Sequence, residues 1–233
     1  MRSTTPGPGR RCCGSPPEPG TGPTPPGARS EAPTRVTDRP APGPDRVLVL
    51  CSANQCRSPL AGAFLQRVVD RRGLAVDVRT AGVHAVAGRS ATPGTVAAAQ
   101  ARGVDLRDHE SRALDPALLA GADLVLGMER LHVREAVVLD AGVWRRSFTL
   151  PDLVRRAEAG GARGPDESLR AWLEFLSAGR DRMALMGASP DDDVRDPTSD
   201  RAVDHPGTAA YLDALVERLV DLAWPEGRSA GRG

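Results

Sequence analysis

The stretch that decides the fold is Val47-Leu48-Val49-Leu50-Cys51-Ser52-Ala53-Asn54-Gln55-Cys56-Arg57-Ser58-Pro59. Four consecutive apolar residues have no polar side to turn to water, so they read as a strand buried on both faces. Ser58-Pro59 then opens a helix, with Ser58 able to cap it and Pro59 suited to the first turn. Leu60, Ala61, Phe64, Leu65 and Val68 carry that helix at 3.6-residue spacing, and Gly73 closes it. The octet Cys51–Ser58 is thus a loop between a buried strand and a helix start. There, successive backbone N–H groups and the helix N-terminus can converge on an anion.

Strand and helix patterns go on alternating downstream. Ala75–Thr80 reads as a second strand, Thr95–Arg102 as a helix closed by Gly103, and Asp115–Ala120 as a short helix. Asp123–Gly127 reads as a third strand, Glu129–Leu139 as a helix and Ser147–Leu150 as a fourth strand. A last amphipathic helix covers about 208–223. This order implies an α/β fold: one three-layer domain with a four-stranded parallel sheet flanked by helices and right-handed crossovers. Ligands bind such sheets beyond the carboxyl ends of the strands, which is where the Cys51 loop lies. Leu153–Ala159 and Glu167–Ser177 also look helical, so residues 151–188 are expected to be a helical insertion packed on the main domain.

Composition narrows the function. The net charge is +1, which gives no field to attract nucleic acid or a membrane surface. All 31 basic residues are Arg, a bias that reads as codon usage rather than a binding patch. Four Cys are too few for a disulfide scaffold, and Cys12-Cys13 has no further ligand nearby, so no metal or other cofactor is expected. Residues 1–45 hold 12 of the 21 Pro and few large apolar side chains. They are expected to be a disordered extension, followed by a domain at 46–224 and a disordered tail at 225–233. With no apolar span and no apolar signal-peptide core, the expected location is the cytoplasm.

A Cys with Arg six places later means little in so Arg-rich a chain; the setting carries the weight. The field of the loop and helix start favours thiolate at Cys51. Arg57 can hold two phosphoryl oxygens at once. Asn54 tolerates the left-handed backbone that curls a loop, and the Ser58 hydroxyl can bond the Cys51 sulfur.

The run Cys51–Pro59 resembles the signature of the low-molecular-weight protein tyrosine phosphatases, which share their fold with thioredoxin-coupled arsenate reductases. Thr80-Ala81-Gly82-Val83-His84, Gly88-Arg89, Ala122–Leu126 with Met128-Glu129, and Asp196-Pro197 fall in the same order. The resemblance implies a phosphomonoester hydrolase, of protein-tyrosine-phosphatase type, acting on a phosphorylated protein or small aryl phosphate through a cysteinyl-phosphate. It implies Cys51 as nucleophile, Arg57 as transition-state clamp and Asp196 as general acid and then base, with Asp191, Asp192, Asp193 and Asp200 as alternative acids. Ser52, Ala53, Asn54, Gln55, Cys56 and Ser58 would line the phosphate site. Thr80 would steady Asn54 by a hydrogen bond, and Cys56 could form a reversible disulfide with Cys51. Ala53 replaces the family's usual Gly and strains the loop if its φ is positive. Thr198, Ser199 and Val86 stand where aromatic pocket walls are usual, with Trp172 or Phe175 as substitutes. Two other readings remain open: arsenate reduction with an external thiol, and a phosphate-loop binder without turnover.

Overall fold

Along β1 (Asp45–Cys51) the side chains alternate between two interiors. Val47, Val49 and Cys51 join one apolar cluster, and Leu48 and Leu50 join another on the opposite face. That two-sided burial explains the uninterrupted apolar run. The computed structural model describes residues 43–200 and 204–225. The extension expected at 1–45 and the tail expected at 225–233 lie almost wholly outside the described residues.

The sheet has four parallel strands in the order β2-β1-β3-β4, with β2 at Val76–Gly82, β3 at Leu124–Gly127 and β4 at Ser147–Thr149. On the first face lie α1 (Arg57–Arg72), α5 (Leu150–Gly160), α6 (Leu169–Leu176) and α7 (His205–Ala223), with α2 (Pro93–Gln100) beside them. On the second face lie α3 (Pro116–Gly121), α4 (Arg130–Leu139) and the 3-10 segment Ala141–Arg146. β2 and β3 flank β1 on opposite sides, so the connections diverge at the end of β1. Diverging connections leave a crevice there, and the Cys51 loop occupies it.

The expected insertion is helical, and it begins without a break. β4 runs directly into α5, whose first turn is capped by the Thr149 hydroxyl accepting from the Asp152 amide at 3.2 Å. Leu169, Trp172, Leu173 and Leu176 of α6 complete the first-face core. The Trp172 indole N–H donates to the Gly161 carbonyl at 3.1 Å. A fully buried side chain of this size contributes roughly 1.5–3 kcal/mol or more. Trp172 is therefore a core residue and not a substitute wall of the active site.

The Arg residues of α1 pair across to α7: Arg67 with Asp213, Arg71 with Glu217 and Arg72 with Asp221. These ion pairs tie α1 to α7. No helix among the described residues is long and apolar enough to cross a membrane.

Candidate active site

The loop after β1 is built by turning its carbonyls outward. Cys51 O accepts from Val83 N at 3.0 Å, Ser52 O from His84 N at 2.9 Å and Gln55 O from Thr92 N at 3.1 Å. Asn54 O accepts from His109 Nε2 at 2.7 Å. With the carbonyls engaged outside, the N–H groups of Ala53, Gln55, Cys56, Arg57 and Ser58 have no acceptor among the described residues. They form an electropositive concavity at the start of α1. Gly82 makes this curl possible: a Cβ there would sit 2.6 Å from Ser52 O and 2.8 Å from Asn54 N.

Asn54 is the one non-Gly residue with positive φ among the described residues, at 56°. Its side chain repays that conformation with two bonds. Oδ1 accepts from Arg112 N at 2.9 Å, and Nδ2 donates to Ser58 Oγ at 2.9 Å. Ser58 Oγ in turn donates to Cys51 Sγ at 2.9 Å, and the Asn54 amide points at the same sulfur from 3.2 Å. Two donors thus converge on one sulfur.

Ser58 is thus committed to the sulfur and does not cap α1, as the sequence suggested. The N-cap is Cys56, which makes no side-chain cap bond. The Cys56 thiol is buried, and burial pushes its pKa up to about 11 against a hydrogen bond with Thr95 that pulls it down. Cys51 and Cys56 are both free cysteines.

Arg57 is buried, with its guanidinium held from three directions. Nη1 donates to Glu129 and to Val194 O at 2.8 Å, and Nη2 donates to Asp196 Oδ2 at 2.7 Å. None of these bonds uses Nε. Burial works against the charge, but the Glu129 bond and the carboxylates of Glu129 and Asp196 outweigh it and raise the Arg57 pKa. Asp196 is held on its other oxygen by Thr198, through the backbone amide at 2.9 Å and the hydroxyl at 2.7 Å.

Beneath the same wall lies His132, fully buried on α4. Its Nδ1 accepts from Glu129 N at 2.9 Å, so the ring proton is on Nε2, which faces Ser52 Oγ at 3.0 Å. Burial, and then the nearby Arg57 charge, lower its pKa to about 3, so the ring is neutral at ordinary pH.

The sequence profile of the low molecular weight phosphotyrosine protein phosphatases matches residues 46–160, which include the loop, Glu129 and His132. A protein-arginine-phosphatase of Bacillus subtilis is 38% identical over 109 residues, covering 46% of this chain and 71% of that protein. The low molecular weight protein-tyrosine-phosphatase Wzb of Salmonella typhi is 31% identical over 147 residues, covering 58% of this chain and 95% of the relative. The chain belongs to the low molecular weight phosphotyrosine protein phosphatase family. Solved structures agree on the fold. A YwlE mutant from Bacillus subtilis superposes with a TM-score of 0.57 at 26% identity, over 76% of this chain and 97% of the other. A low molecular weight protein tyrosine phosphatase from T. tengcongensis gives the same TM-score and identity, over 76% and 98%.

In this phosphatase Asp196 lies beyond the segment matched by the family profile, so its placement rests on geometry. Asp196 reaches Arg57; Asp191 is exposed and its carboxylate has no bond among the described residues, and the other neighbouring acids are engaged elsewhere. Asp192 pairs with Arg130 and Arg155, Asp193 accepts from the Arg130 and Ser189 amides, and Asp200 pairs with Arg195. Ser52, Ala53, Asn54, Gln55, Cys56 and Ser58 all lie in the loop; Ala53 is exposed and its φ is not positive, so its methyl introduces no strain of the left-handed kind. Gln55 Nε2 donates to Ser90 O at 3.0 Å and ties the loop to the segment before α2.

Thr80 does not bond Asn54. Ser58 and Arg112 already occupy the Asn54 amide, and the Thr80 methyl lies over Gly62 of α1. His132 and His109 were missed. His132 follows Glu129 by three residues at a helix start, a detectable capping pattern; nothing in the sequence marks His109.

Proposed function

We propose that this phosphatase removes phosphoryl groups from protein side chains, phosphotyrosine first, through a cysteinyl-phosphate on Cys51. The observation that carries the reading is the Cys51 sulfur under two donors, at the base of a loop with unfilled N–H groups. In the first step the thiolate attacks phosphorus and the P–O bond to the substrate breaks. Asp196, as the protonated acid, gives its proton to the departing oxygen. Arg57 releases its carboxylate partners in part and, with the loop amides, holds the equatorial oxygens. In the second step the Asp196 carboxylate takes a proton from water, which attacks phosphorus, and the S–P bond breaks. The Ser58 hydroxyl stabilises the returning thiolate.

A second substrate reading has its own support. The site offers the partly exposed carboxylates of Asp196 and Glu129; Phe64, Phe148, Trp172 and Trp224 are buried, while Phe175 and Tyr211 are exposed. Carboxylates beside Arg57 complement a cationic leaving group, and one relative is a protein-arginine-phosphatase. Arsenate reduction with an external thiol and binding without turnover gain no support from relatives that are phosphatases.

The test is phosphate release from aryl phosphate, phosphotyrosine peptide and phosphoarginine peptide by wild type, Cys51→Ser and Asp196→Ala. Release from the wild type at the Cys51→Ser background overturns the mechanism. Release from phosphoarginine at a higher kcat/KM than from phosphotyrosine replaces the first substrate with the second.

A further inference from the structure

We infer that Arg155, on α5, is a positioning residue for the acid loop. It bridges a carboxylate of the helical layer, Asp152, to a carboxylate of the loop, Asp192. This deepens the proposed function and rests on Asp196 as the proton donor.

The loop from 187 to 200 contains no helix or strand, so it needs other anchors to hold Asp196 in place. One anchor is the end of β3, where Val194 N donates to Met128 O at 2.7 Å. A second is the start of α4, where Asp193 Oδ1 accepts from Arg130 N at 2.7 Å. The third faces α5. Asp192 is buried; its Oδ1 accepts from Arg155 Nη2 at 2.7 Å, and its Oδ2 accepts from Arg130 Nε at 2.8 Å. The same Arg155 Nη2 donates to Asp152 Oδ1 at 2.8 Å, and Nη1 reaches Asp191 O at 3.4 Å.

Asp152 is also buried and is itself fixed by Arg156 at 2.9 Å. The nearby Arg180 lies 4.2 Å from the Trp144 ring centre and 4.0 Å from that of Phe148. Two buried carboxylates facing each other repel unless a cation lies between them. Arg155 supplies that cation and links the loop to a rigid helix. Burial opposes the Asp192 charge, yet Arg155 and Arg130 hold its pKa below the usual carboxylate value. The Arg155 side chain is half exposed, so replacing it opens no core cavity.

The readout must separate proton donation from phosphate binding. Phenoxide leaves poorly and needs a proton; dinitrophenoxide leaves without one. kcat/KM reports the steps through the first P–O cleavage. In Arg155→Met and Asp192→Ala, kcat/KM for phenyl phosphate should fall about tenfold or more, since a misplaced catalytic group costs up to about a hundredfold. The value for dinitrophenyl phosphate should stay within about twofold, because neither substitution alters the Cys51 loop amides or the Arg57 side chain that hold the phosphoryl oxygens. Equal losses on both substrates, or no loss on either, overturn the inference. Asp196→Asn is the control: if it fails to discriminate between the two substrates, the proton-donor reading itself falls. If it discriminates and the Arg155 and Asp192 variants do not, only the positioning role falls.

Discussion

His132 makes a sharp prediction about acid stability. Its ring is fully buried and neutral, accepting at Nδ1 and facing Ser52 with Nε2. In the unfolded chain the same ring takes a proton at its ordinary pKa of 6.5, but in the folded protein only near 3. Between those values the unfolded state binds more protons, so lowering the pH destabilises the fold. At pH 5, some 1.5 units below the ordinary imidazole value, the loss from this group alone is about 2 kcal/mol. His132→Gln keeps an acceptor and a donor but cannot titrate. Urea unfolding at pH 7, 6 and 5 should show wild type losing about 2 kcal/mol more than His132→Gln over that range. All other groups titrate equally in both proteins and cancel in the difference. Parallel pH dependences would refute the buried neutral ring, whatever the absolute stabilities.

Other perturbations probe the loop and its support. Ser58→Ala removes the hydroxyl that donates to Cys51 Sγ, and a lost charge-assisted bond of about 1.5–3 kcal/mol slows turnover roughly tenfold to a hundredfold. Rapid quench should show phosphoenzyme accumulating; unchanged kcat contradicts the leaving-group role. Gly62→Ala forces a methyl onto the Thr80 methyl and should cost about 1–3 kcal/mol in urea unfolding. Thr80→Ser should rescue it, and additive losses would mean the two do not touch. Hydrogen peroxide can oxidise the Cys51 thiolate to a sulfenic acid, leaving hydroxide; the Cys56 thiol then attacks that sulfur and releases water to give a disulfide. A dithiol should restore activity after peroxide treatment more fully in wild type than in Cys56→Ser, and equal recovery removes Cys56 from that role.

The elements that bury a continuous face were legible in the sequence. Val47–Leu50 and Leu60–Val68 declare their partners by period alone, and the apolar face Trp172, Leu173, Phe175 and Leu176 declares a packed helix, although Phe175 stays exposed. Two kinds of detail were not. Ser58 reads as a cap, because local propensity carries no sign that a sulfur seven residues back competes for the hydroxyl. The family resemblance pairs Thr80 with Asn54, although Arg112, fifty-eight positions away in sequence, already fills that amide. Contacts of such separation leave no local periodicity. Asp196 was singled out by the Asp-Pro pair, but only the folded chain shows Asp192, Asp193 and Asp200 bound to other partners.

The missing side-chain cap on α1 has a thermodynamic consequence. A helix whose first N–H groups are left without partners forgoes about 1 kcal/mol of the stability that an ordinary cap supplies. An oxyanion seated in the loop completes those bonds, so the ligand is in effect the helix's capping group. Occupancy and folding are then linked: the melting temperature climbs with the logarithm of oxyanion concentration once the site is saturated. Inorganic phosphate, the reaction's own product, would shield the protein from unfolding as it accumulates.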